Sequence, residues 1–577
     1  MTILLYSFSP FWLGSSFTFQ NQAGAMLVLA TLATLGCIAL LLRCGYTSTH
    51  RTALASFSIL DVLLSAFLGY VLLQSLFYPA DSGHVIRWMT LALMYILFRQ
   101  LPSSWTIRLL FLVPVMAVFQ TVYGYFQLAY PWQGLSDITG GFGNTGIFGG
   151  FVALGWATAL GLLFMHGNRC AAEKTSRWLV VFLLLLLIPL SIQLVYSQSR
   201  AAWLAAITGA AVLLVSPVFR RLKRRNALMV TAFLLIAFAL LLVPLYHYKK
   251  DSADGRMLIW TVSTKMMADK PLTGFGTDGF QRHYLHYQAD YFKNNPQSRY
   301  AYLADNAVSP FNEWLGVGVE RGIVGLLPVL GMLFFAFRYS WGSPPLRAVI
   351  SALVVFAGFS YPFSFVAFKV LAVFCLASVP SPVVVGMQPM LAGARVLPQW
   401  LRRQFVLYCF VGVMGGAIVY SSFVHYNAVK EWNSAFHARS VSEQTQRMEV
   451  LYPVFQRNAL FVTVYGTILH RAQQHQQALP VLERAVALFP SAQSFILLGE
   501  LYEHTGNYSA ALAAWETASY IRPVLFAPLY NRALLYHRLG YHQQAREIAE
   551  EVVNKRVKIR SPVIERMRTE MRKLIDN

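Results

Sequence analysis

The chain has 577 residues, 56% of them hydrophobic and 12% charged, with a mean hydropathy of +0.48. That composition excludes an ordinary soluble protein and indicates a polytopic membrane protein. The formal charge of +22 comes from 47 Lys and Arg against 25 Asp and Glu, but no nucleic-acid recognition motif accompanies it, so we assign the excess to membrane-flanking loops and set nucleic acid aside.

In chain order, the first twenty residues carry no charge and lack the basic start of a cleaved signal peptide, so they read as a retained interfacial or membrane-embedded segment. Apolar runs follow at 25–42, 58–77, 86–98, 107–128, 146–165, 178–196, 201–218, 227–246, 314–337, 347–363, 365–385 and 405–424. They predict an all-α membrane bundle of about twelve transmembrane helices, with one more if residues 3–19 also cross. Cys37, Cys44, Cys170, Cys375 and Cys409 lie in or beside these runs, at spacings that suggest neither a disulfide framework nor a metal site.

Alternate connections carry the basic residues: Arg43 and Arg51; Arg99 and Arg108; Arg169, Lys174 and Arg177; Arg220 to Arg225; Arg338 and Arg347; and Arg395, Arg402 and Arg403, with Glu173 the one acid among them. This set should be cytoplasmic. The other connections, including a long polar loop at 247–313, then face outward together with everything after the last run. Phe142-Gly143-Asn144 and the glycines at 146, 149 and 150 suggest a bend before the fifth span and close packing within it.

Candidate chemistry gathers in the outward layer. Arg200 stands between two apolar spans, where a charge is expensive unless it pairs or lines a wet cavity. Arg256 follows the eighth span at the same level, and two guanidiniums at one depth can clamp a pyrophosphate; the alternative for Arg256 is an ion pair with Asp251 or Asp254. Glu313 opens the ninth span behind Asn312 as N-cap, where the helix dipole stabilises it and where it can take a proton from an acceptor hydroxyl. Glu320 is placed deeper on the same helix face. His283 and His286 lie three apart with no third ligand nearby, so no metal is assigned.

From about Asn427 the chain changes to a soluble character. Gly499, Tyr502, Ala511, Trp515, Ala518 and Pro523 have the spacing of a tetratricopeptide unit; Gly466, Ala478, Leu482, Ala485 and Pro490 repeat it 33 residues earlier, and Ala533, Ala545 and Ala549 continue it 34 later. Two domains are expected: 1–426 in the membrane and 427–577 as an α-helical solenoid that buries its own faces, sends few contacts to the bundle and binds a protein partner.

Together Phe142-Gly143-Asn144, Ser199-Arg200-Ala201-Ala202-Trp203, the stretch Arg256 to Trp260, and Phe311 to Gly325 resemble the O-antigen ligase superfamily over roughly residues 140–380. That superfamily includes O-antigen ligases, O-antigen polymerases and pilin-type protein O-oligosaccharyltransferases. Its closing motif is a His, then Asn, Ser or Gln, nine residues, and Gly-x-x-Gly. Asn312, Gly322 and Gly325 fit this frame, but Phe311 takes the histidine position, and Glu313 is the nearest residue able to replace it. The resemblance implies a bacterial inner-membrane enzyme that transfers a glycan from undecaprenyl pyrophosphate, without nucleotide or obligatory metal, to lipid A core, another glycan or a protein. Arg200 and Arg256 would hold the diphosphate, with Trp260, Asn312 and Glu320 in the substrate site. A transporter or a membrane scaffold with an interaction module is the reading from another class; a transporter should show internal repeats and polar breaks inside paired spans, which this chain lacks.

Overall fold

The computed structural model describes residues 19–46, 56–78, 82–129, 134, 137–167, 174–219, 224–380, 382–386 and 403–576. The segment expected at 3–19 lies, but for Phe19, outside them. Every apolar run falls on a helix: α1 Phe19–Tyr46, α2 Ile59–Phe77, α3 Ser82–Arg99, α4 Ser103–Phe126, α5 Thr145–Gly167, α6 Lys174–Tyr196, α7 Arg200–Phe219 and α8 Arg224–Tyr248, then α11 Glu313–Tyr339, α12 Pro344–Gly358, α13 Val366–Ser378 and α14 Arg403–Phe436. Five of these, α2, α4, α5, α6 and α11, contain stretches long and apolar enough to cross a membrane.

Helix α5 is the centre of the bundle, with 78% of its apolar window buried. Its small residues let α4, α7 and α12 close on it: a Cβ on Gly150 would lie 2.0 Å from the ring of Phe356 on α12. Far from this core in sequence, Ser56–Ser58 pairs antiparallel with Val383–Gly386, tying the start of α2 to the chain after α13.

The polar interval 247–313 is not a loop. It folds into α9 Lys250–Asp269 and α10 Gly279–Asn294, because Phe280, Tyr284, Leu285, Ala289 and Phe292 recur at helical spacing and find apolar neighbours in Leu258, Val262 and Met266 of α9. The turn before α10 then threads onto α11. Phe275 and Gly276 donate their N–H groups to the carbonyls of Val319 and Glu320, and Ile323 and Val324 donate to those of Pro271 and Leu272. At the crossing Gly322 takes φ 62° and ψ −163°, a conformation confined in practice to glycine, and α11 is broken there into two helical pieces.

Helix α14 runs without a break from the bundle past residue 427 to Phe436 and hands the chain to α15 Val441–Phe455. Three helix pairs follow: α16 Ala459–Arg471 with α17 His475–Leu488, α18 Ala492–His504 with α19 Tyr508–Ile521, and α20 Ala527–Arg538 with α21 His542–Asn554, before a last helix, α22 Pro562–Asp576. The repeat residues do what their spacing suggests. Ala478, Ala485, Ala511, Ala518, Ala533, Ala545 and Ala549 are fully buried with Trp515, whose indole N–H reaches the Ile496 carbonyl at 3.1 Å across Gly499.

The expectation that the repeat buries its own faces is corrected. Helix α10 shares one apolar core with α18 and α19, including Phe495, Ile496, Ala514, Ala518 and Ile521. Gln288 Nε2 donates to the Ile521 carbonyl at 2.7 Å, and Arg522 meets Asp305 at 3.3 Å. The repeat's own pairs leave these small apolar residues uncovered, and α10 supplies the missing face.

Candidate active site

Arg200 and Arg256, the two arginines expected at one level, are near enough to interact. Arg200 opens α7. Its guanidinium donates to the Leu245 carbonyl at 2.9 Å and to Ser252 Oγ at 3.1 Å. The turn before it is fixed against the start of α5, where Ser199 Oγ reaches the Gly146 carbonyl at 3.4 Å and Asn144 caps the helix through Ile147 N–H at 3.0 Å. The bend expected at Phe142-Gly143-Asn144 is present, with Gly143 in the left-handed region.

Arg256, on α9, donates to the Phe359 carbonyl at 2.8 Å and lies over the Phe311 ring at 5.5 Å. The ion pair weighed for it does not form: Asp254 accepts from the Tyr246 hydroxyl and faces Arg299 instead. Burial, then the charge of nearby Arg200, pushes the Arg256 guanidinium down to about 10. Neither arginine has a carboxylate partner among the described residues, so two like charges face one space with only neutral acceptors around them. That arrangement is costly without an anion between them.

Phe311 occupies the motif's histidine position with φ 53°, a conformation rare for a bulky residue. Its ring is held between Arg256 and Tyr361, 5.0 Å away and edge-on. Trp260 donates to the Pro310 carbonyl at 2.9 Å and packs on Phe359, which fixes the turn into α11. Asn312 caps that helix through Leu315 N–H at 3.0 Å, so its side-chain oxygen is occupied. Glu313 accepts the Phe363 N–H at 2.7 Å. Glu320, near enough to interact with Glu313, accepts the Phe280 N–H, has a loose contact of 3.9 Å with Arg321 and keeps 28% of its side chain accessible. A deep carboxylate that still meets solvent lines a crevice.

The contacts thus link Arg256 to Arg200 and Phe311, and Glu313 to Phe363, with Glu320 further along α11 and Trp260 and Asn312 holding the turn. His283 and His286 are spent on aromatic contacts, with Phe275 at 4.9 Å and Phe495 at 6.0 Å. Sequence reasoning missed Arg321, buried and bonded to Gln74 Oε1 and to Thr277 Oγ1 at 2.8 Å, which locks the break in α11 to α2. It also missed Lys369 on α13 and Arg87 on α3, both in electrostatic contact with this layer. A lone lysine inside an apolar run was the available signal for Lys369.

Residues 182–330 match the O-antigen ligase family model, a span holding Arg200, Arg256, Trp260, Asn312, Glu313 and Glu320. This segment is similar to the O-antigen ligase family. Residues 527–551 match a tetratricopeptide repeat, which coincides with the third helix pair of the solenoid. No curated protein matches the chain. Arg87 and Lys369 lie outside the part that the O-antigen ligase model covers.

Proposed function

We propose that the chain is an O-antigen ligase-like glycosyltransferase of a bacterial inner membrane, moving a glycan en bloc from undecaprenyl pyrophosphate to an acceptor hydroxyl at the periplasmic face. The supporting observation is the pair Arg200 and Arg256, two guanidiniums in reach of one another with no carboxylate between them. A diphosphate is the anion that suits two planar forks. In the reaction the acceptor oxygen bonds to the anomeric carbon, the carbon–oxygen bond to the pyrophosphate breaks, and its electron pair leaves with the lipid diphosphate. The arginines stabilise the charge that grows there, and Glu313 takes the acceptor proton.

The outward orientation rests on the alternation of basic connections, with about twelve crossings in 1–426 and the repeat of 427–577 on the same side as the site. Lipid A core, another lipid-linked glycan and a protein hydroxyl are the acceptor classes; the repeat argues for a protein at some point, as acceptor or as partner. A transporter or scaffold has no use for this charged layer.

Purified protein in nanodiscs with a lipid-linked donor tests the proposal. Arg256→Lys should lower the transfer rate on the order of 100-fold, since an ammonium cannot reproduce the planar fork. A lysine variant as fast as the wild type, at equal folding, would reduce the arginine to an anchor of the bundle.

A further inference from the structure

The catalytic reading uses the α7 and α9 side of Glu313 and leaves the opposite side without a task. Lys369 sits one turn into α13, and its ammonium has no hydrogen-bond or ion-pair partner among the described residues. It lies in electrostatic reach of Glu313 on one side and of Arg87 on the other. His84, at the start of α3 and accepting from Trp88 Nε1 at 2.9 Å, stands beside the same group and feels Arg87, Arg321 and Lys369. Arg321 is satisfied by Gln74 and Thr277, so it does not need the crevice. Lys369 does.

The turn at 359–366 makes the two sides one site. Its first residue, Phe359, accepts from Arg256, and Phe363 donates to Glu313 Oε1; Lys369 follows within the first turn of α13. The turn thus links two cationic flanks, Arg200 with Arg256 bonded at Phe359, and Lys369 with Arg87 beyond Phe363 and its partner Glu313. The diphosphate reading uses the first flank and assigns no task to Lys369 in the second. An unpaired ammonium in an apolar helix is retained at a cost unless a ligand brings the counter-charge.

We infer that the second flank is the acceptor subsite and that the acceptor is anionic: a phosphate or carboxylate close to its attacking hydroxyl is held by Lys369, with Arg87 beside it. The inference rests on the transfer reading above and narrows its acceptor class to charged glycans, away from a neutral serine or threonine peptide. A lysine suits this task, being a point charge that tolerates varied anion geometry.

The test uses the full chain in nanodiscs with a lipid-linked donor and three acceptors, octyl β-glucoside, its 6-phosphate and octyl β-glucuronide. The wild type should show a KM at least ~10-fold lower for a charged acceptor than for the neutral one, one well-placed ionic contact being worth about that factor, and the phosphate and uronate arms separate the two anions. In Lys369→Met the ratio should fall towards one with the donor KM unchanged, and Lys369→Arg should restore it. A wild type indifferent to acceptor charge, or a Lys369→Met protein that keeps the ratio, overturns the inference. If the wild type transfers to none of them, thermal stabilisation by octyl β-glucoside 6-phosphate decides: seen in the wild type and lost in Lys369→Met, the anion site stands and the transfer reading fails; absent from both, the inference fails too.

Discussion

At Glu313 the question is whether a carboxylate does the work expected of the motif's histidine. Its Oε1 already accepts the Phe363 N–H, and glutamine keeps that bond while losing basicity. Glu313→Gln should therefore lower single-turnover transfer by about 100-fold with donor binding intact. An unchanged rate would mean the acceptor proton is lost late, to water or phosphate, as oxocarbenium character develops. A second residue-scale effect concerns pH. Burial against Phe275, then the charges of Lys270, His286 and Arg282, pushes His283 down to about 4, whereas the unfolded chain titrates near ~6.5. Between these values the unfolded state binds more protons, so this histidine's contribution makes stability fall as pH drops below ~6.5 and leaves it flat above. The melting temperature of His283→Phe should decline less than that of the wild type between pH 7 and pH 5; parallel declines would show that the ring does not resist protonation.

The broken helix α11 is the element on which the site depends. The strap at 271–276 can bond to it only where its own ladder opens, and Gly322 makes the opening; a Cβ there would lie 2.2 Å from the Leu272 carbonyl oxygen. Gly322→Ala should cost at least ~2 kcal/mol, from strain and from the displaced strap, read as a lower melting temperature in detergent. Gly255→Ala, in α9 where an added Cβ meets nothing within 4 Å, is the matched control and should be neutral or slightly stabilising. Equal effects of the two would deny the strap any role. In the solenoid, Trp515→Ala removes a fully buried indole and should destabilise the repeat by about 3–5 kcal/mol, checked by hydrogen exchange across α18 and α19.

On the scale of the whole molecule, the repeat and the layer over the site form one folded body through α10. Removing the chain after Phe436 uncovers Phe292, Ala289 and their neighbours in the shared core. Hydrogen exchange over 279–307 should then rise by at least ~10-fold, while α5 at the bundle centre stays protected. Unaltered protection at 279–307 would show that α9 and α10 hold without the repeat. Because the strap at 271–276, which leads directly into α10, bonds α11 at Val319 and Glu320, partner binding on the solenoid has a physical route to the crevice.

The sequence by itself determined the helical class, the places of the apolar helices and the repeat. Each follows from local patterns: apolar run length, and the spacing of small residues that lets helices touch. Only the tertiary structure decided that 247–313 is two helices, since their apolar face has meaning once α18 and α19 cover it. It also decided that Arg256 ignores Asp254, two positions away in sequence, because the fold delivers the Phe359 carbonyl instead. Lys369, more than fifty residues from Glu313 in the chain, is brought near the same carboxylate because the turn before α13 bonds to it through the Phe363 N–H, and a proximity of that kind is set by tertiary packing alone.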